Sequence, residues 1–106
     1  MKTLFIDSTN NKKTIVRLII EGKIYSKEEI VEPRSPQKVL PLINLLLQEQ
    51  KIAIKDITHI TVAEGPGSFT GVRVGVAIGN ACAFALGIPI NGGKFSKGKS
   101  AVEPKY

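Results

Sequence analysis

Three glycines within seven residues, Gly65-Pro-Gly-Ser-Phe-Thr-Gly71, mark the place where this chain could hold an anion. Glycine allows close backbone approach and positive φ, and successive N–H groups running into a helix N-terminus attract negative charge. Gly65, Gly67, Ser68 and Thr70 are the candidate nucleotide or anion contacts, with Arg73 as the candidate cation. Neither familiar phosphate fingerprint fits. A dinucleotide loop needs two residues between its second and third glycine, and Ser68, Phe69 and Thr70 stand there; a P-loop needs Lys followed by Ser or Thr, and Val72-Arg73 follows instead. Arg73, early in the helix after the block, opposes the helix dipole, so it is expected to pair with an acid or a ligand oxygen. A second candidate is Asp7-Ser8-Thr9, an acid and two hydroxyls after a short apolar run. It suits either a metal-bound phosphate or a self-capping turn.

No arrangement for bond-breaking chemistry accompanies these residues. His59 and Cys82 are each the sole residue of their type, so neither a zinc site nor an internal disulfide is expected, and no Cys/His pair has plausible context. Glu28 and Glu29 fall on alternate faces of an expected strand, and no Ser/His/Asp arrangement or peptidase nucleophile pair is present. The residues point to a binding module.

The elements that position them follow from local pattern. Thr3–Ile6 reads as a strand, Thr14–Ile20 and Lys23–Val31 as a hairpin joined at Glu21-Gly22, and Ile60–Ala63 as a buried strand. Ser35 with Pro36 starts a helix expected to reach about Gln50, with Pro41 introducing a kink or an irregular first turn. A second helix is expected from about Val72 to Leu86, stopped by Gly87, with Ile88–Ile90 as a last short strand. The order is β-β-β-α-β-α-β: an α/β lobe with a mixed five-stranded sheet and two helices.

Both helices carry more apolar surface than one sheet needs. Val39, Leu40, Leu42, Ile43, Leu45, Leu46 and Leu47 cover over half the first helix, so either a partner covers it or a small fold sinks it. On the second helix Gly71, Gly75, Gly79 and Ala83 form a stripe of small side chains, while Val74, Ile78, Ala81 and Ala85 form a larger apolar face. Each interior glycine costs up to about 1 kcal/mol relative to alanine, which close approach by another element offsets. If the larger face meets the sheet, the small face is left for the first helix or a partner chain. The expected partner interface is therefore Val39, Ile43, Leu46, Gly71, Val72, Gly75, Val76, Gly79, Cys82 and Ala83.

With 106 residues the chain forms one domain, and 42% hydrophobic residues suffice for a core without staples. We divide it into a lobe, 1–90, and a basic Gly/Ser/Lys-rich tail, 91–106. The net charge of +6 is uneven, with five basic residues and one acidic residue among 71–106. Lys94, Lys97, Lys99 and Lys105 fit a solvated tail, or the tail of a small basic RNA-binding protein that holds phosphates with its lysines and glycine block. No secretory signal is read at the N-terminus, and the Gly/Ala-rich run Val74–Ile90 is expected to be buried by protein rather than lipid; a cytoplasmic location is expected.

The same residues resemble the N-terminal half of the TsaB (YeaZ) family, the partner proteins of threonylcarbamoyladenosine modification of tRNA. Leu4-Phe-Ile-Asp-Ser-Thr9 is similar to the family's first strand and Asp-Thr-Ser turn, and Val39-Leu-Pro-Leu-Ile43 to its first helix. The most specific stretches are Gly65-Pro-Gly-Ser-Phe-Thr-Gly-Val-Arg-Val-Gly75 and Ala85-Leu-Gly-Ile-Pro89. The resemblance covers about residues 3–90. It implies a single ribonuclease H-like lobe of the actin-like ATPase (ASKHA) superfamily and a non-catalytic partner for a TsaD-type subunit, the enzyme that modifies adenosine beside the anticodon. TsaE, an ATPase, joins that system, tRNA is engaged indirectly, and family members also self-associate through the two helices, so a homodimer is expected when the chain is alone. TsaD holds a metal with histidines of its first helix; the matching Ser35-Pro-Gln37 offers no ligand, and no metal is expected. The family has a second lobe after the Ile-Pro strand; Asn91–Lys99 is expected to stand in its place, since Glu103-Pro-Lys-Tyr106 is weakly similar to the family's ending, and truncation of a longer chain is the rival explanation. One chain then cannot form an interlobe cleft, so no cofactor of its own is expected, and ATP or ADP would need a site that a partner completes.

Overall fold

A computed structural model describes residues 1–10, 12–31, 38–65 and 69–91, with the side chains of 69–72 outside the description. The expected Ser35-Pro36 helix start, Gly67, Ser68 and the whole of 92–106, including its four lysines, lie outside the described residues.

The elements are β1 (Lys2–Asp7), β2 (Lys13–Ile20), β3 (Lys23–Ile30), α1 (Val39–Gln50), a 3-10 turn (Ile54–Asp56), β4 (His59–Val62) and α2 (Phe69–Leu86). The sheet order is β3-β2-β1-β4. β1 pairs antiparallel with β2 and parallel with β4. Glu21 at φ 48° and Gly22 at φ 84° form the two-residue turn of the β2–β3 hairpin, a primed geometry that matches strand twist. Among the described residues the sheet has four strands rather than five. What was expected as the last strand is a single parallel bridge, Ile60 to Ile90, because Asn91 turns into left-handed backbone at φ 49° immediately after it.

Strand alternation decides where the core lies. Leu4 pairs with Leu18 and Ile60, and Ile6 with Val16 and Val62, so these six buried side chains share one face of the sheet. Both helices pack on that face. α1 contributes Val39, Leu42, Ile43, Leu46 and Leu47; α2 contributes Val76 and Ala83; Ile57 and Ile90 complete a single cluster. The other face carries Phe5, Ile15, Arg17, Ile19 and Ile24, with the Arg17 guanidinium 5.3 Å from the centre of the Phe5 ring.

Helix α1 begins later than expected, so Pro41 is its third residue. The first intrahelical amide bond runs from Leu42 N–H to Lys38 O at 3.0 Å, and Pro41 removes none. No kink is needed. Lys51, at φ 57°, ends α1 in a Schellman motif: Lys51 N–H donates to Gln48 O and Ile52 N–H to Leu47 O. Gly87, at φ 65°, ends α2 the same way, with Ile88 N–H donating to Ala83 O.

Candidate functional site

The adjacent carboxyl ends of the parallel strands β1 and β4 are where open α/β sheets place ligands. Asp7 closes β1 there, and its Oδ1 accepts from both Thr9 N–H at 3.0 Å and Thr9 Oγ1 at 2.7 Å. Of the two readings of this turn, the described bonds are those of the self-capping one. Ser8 is buried beneath α2: a Cβ built on Gly75 would lie only 2.2 Å from Ser8 Oγ. Asp7 and Thr9 are thus bonded to each other within the turn, and Ser8 packs under α2.

Beside them, β4 leads through Glu64 to Gly65, whose φ of 124° requires glycine. Gly67 and Ser68 lie outside the described residues, and Thr70 is placed only as backbone in the first turn of α2. Because α2 begins at Phe69, Arg73 falls in its second turn rather than its first, where it is exposed. Its conflict with the helix dipole is correspondingly smaller than its sequence position suggested.

Sequence reasoning missed Asn91. Its Oδ1 accepts from Val62 N–H at 2.7 Å, and its Nδ2 donates to Val62 O at 3.0 Å and to Glu64 Oε1 at 2.6 Å. The available signal was an asparagine, tolerant of left-handed backbone, directly after the Ile-Pro-Ile run.

The small-residue stripe faces the opposite way from the expected partner surface. A Cβ on Gly79 would meet Val62 Cγ1 at 2.3 Å and Ile90 Cδ1 at 3.2 Å, and one on Gly75 would meet Ser8. Gly75, Gly79, Val76 and Ala83 thus seat α2 on the lobe's own sheet, and Val39, Ile43 and Leu46 are buried in the same core. The cause is size: glycines let α2 sit down on β4 and β1, leaving the larger apolar face for the flank and the exterior. Gly71 and Val72 are described as backbone only, and Cys82 is half-buried beside the core. The outward surface of the helical layer consists instead of Leu40 and Leu45 on α1, 47% and 49% exposed, and Phe84 on α2, 62% exposed. Exposed Ala77, Ala81 and Ala85 accompany Phe84 on α2.

Burial pushes the Cys82 thiol above its ordinary pKa, away from the reactive thiolate. No group of three or more His, Cys, Asp or Glu side chains that could hold a metal occurs among the described residues. No helix there is long and apolar enough to cross a membrane.

Comparison with known proteins agrees with this geometry. A family model described as TsaD, tRNA N6-adenosine threonylcarbamoyltransferase, matches residues 19–92. The tRNA threonylcarbamoyladenosine biosynthesis protein TsaB of Bacillus subtilis is 34% identical over 86% of this chain and 40% of its own length. TsaB of Buchnera aphidicola from Schizaphis graminum is 38% identical over 65% of this chain and 33% of its own. The solved structure of YeaZ from Pseudomonas aeruginosa superposes with a TM-score of 0.78 at 33% identity, covering 85% of this chain and 43% of that one. The chain spans about two-fifths or less of the length of these curated relatives. Its two-helix, mixed-sheet lobe, its glycine block and these matches establish that the chain belongs to the TsaD-like family, within its TsaB (YeaZ) branch.

Proposed function

We propose that this chain is a non-catalytic scaffold that docks on a TsaD-type subunit and supports threonylcarbamoyladenosine modification of the tRNA adenosine next to the anticodon. The observation that carries this reading is the outward apolar surface of the helical layer, Leu40 and Leu45 on α1 and Phe84 on α2. Large apolar side chains left exposed on both helices favour a protein partner over solvent. The raised thiol pKa of Cys82 and the self-capping Asp7 turn support a supporting rather than a reacting role. On this reading the same surface serves a homodimer when the TsaD-type subunit is absent, a TsaE-type ATPase joins the assembly, and tRNA is engaged through the partner. ATP or ADP, if bound, belongs to a site that the partner completes, and the work takes place in the cytoplasm.

Reconstitution tests the reading. TsaD-type enzyme from the same organism, with its other components, is expected to modify tRNA well only when this chain is added. Equal modification without the chain contradicts the proposal.

A further inference from the structure

Asn91 does what a further strand residue would do, but with its side chain. On the outer edge of β4, Ile60 is paired by main chain: its N–H donates to Pro89 O at 3.0 Å and its O accepts from Asn91 N–H at 2.8 Å. Two residues along the same edge, both main-chain groups of Val62 are paired instead by the Asn91 amide, at 2.7 and 3.0 Å. The left-handed φ of 49° turns the backbone away at the same residue, so the side chain replaces the strand it terminates. The second Nδ2 proton goes to Glu64 Oε1 at 2.6 Å. That pattern needs one acceptor and two donors on a short side chain that tolerates positive φ. Asparagine meets all of these requirements; aspartate lacks the donors, and glycine lacks the amide.

We propose that Asn91 is a positioning residue: its amide completes the edge of β4 and fixes the Glu64 carboxylate at the head of the glycine block. Residue 91 is thereby tied to the end of β4 and to the residue that precedes Gly65. This latch is independent of the docking role, and its test requires no partner protein.

The experiment is amide hydrogen exchange by NMR on the whole 106-residue chain, read at Val62 together with the Asn91 side-chain amide protons. Asn91→Gly relieves the backbone conformation and deletes the amide, so Val62 protection is expected to fall about tenfold, as for a lost buried hydrogen bond. Asn91→Asp keeps an acceptor for Val62 N–H but deletes both donors and sets a carboxylate against that of Glu64, so protection at Val62 is expected to fall below the parent's but less far than in Asn91→Gly. Adding Glu64→Gln to Asn91→Asp restores a donor between the two side chains and should recover part of that loss. In the otherwise unaltered chain, Glu64→Gln keeps an acceptor for Asn91 and should leave Val62 protection within about twofold of the parent. Val62 exchange in Asn91→Gly within twofold of the parent overturns the proposal, as does a failure of Glu64→Gln to improve Asn91→Asp.

Discussion

Gly79 has no Cβ because none fits: the added carbon would overlap Val62 Cγ1, a branched side chain on a buried strand with little freedom to move. Gly79→Ala is therefore expected to lower stability by about 1–2 kcal/mol even after alanine's gain in helix propensity, seen as a lower urea midpoint with unchanged slope. A midpoint equal to or above the parent's would mean that α2 does not sit where described. Gly75 meets Ser8 Oγ, which a rotation about one bond can move, so Gly75→Ala should cost less than Gly79→Ala. Bulky substitutions at either glycine act on the fold first, so they are unsuitable probes of an interface. At Cys82 the consequence is chemical. Burial holds the thiol protonated, so alkylation by iodoacetamide should be slow at neutral pH and accelerate only above the ordinary thiol range. Rapid labelling of the folded chain at pH 7 would contradict that placement.

At the scale of elements, α1 ends on Lys51 in the left-handed region, where a side chain costs roughly 1–2 kcal/mol that glycine avoids. Lys51→Gly should raise stability by about 1 kcal/mol, measured by thermal or urea unfolding, whereas Lys51→Ala should not. Gly87 already holds the equivalent place at the end of α2, and its recognition as a helix stop needed only its position after an apolar run. The hairpin was equally legible, since Glu21-Gly22 between two β-rich runs admits few alternatives. What local pattern could not supply was facing. The stripe Gly71, Gly75, Gly79 and Ala83 shows that something approaches closely, but periodicity alone does not distinguish the chain's own sheet from a partner helix. The fifth strand was lost for a related reason: Ile88-Pro-Ile90 has strand composition, while the event that ends it is a backbone turn and a side-chain pairing at Asn91. The bonds of Asp7 were foreseeable only as one of two readings, because an Asp-Ser-Thr turn has the same composition whether it caps itself or holds a ligand.

At the scale of the whole molecule, the lobe has two layers, with its core between one sheet face and two helices, and it presents Leu40, Leu45 and Phe84 outward from the helical layer. These exposed side chains contribute little to the fold, so lysines there should change stability by about 0.5 kcal/mol or less. They are also the side chains whose burial would drive association: fully burying a large apolar side chain contributes about 1.5–3 kcal/mol, and the exposed part of that, 47–62% of each side chain, remains to be gained here. On the proposed function, this layer docks on a TsaD-type subunit. That docking is tested most directly by titrating the double variant Leu45→Lys with Phe84→Lys against that subunit in a calorimeter, beside the parent chain. The parent is expected to bind, and the variant, folded by circular dichroism, to bind at least about a hundredfold more weakly. Equal affinity for the two chains would contradict it.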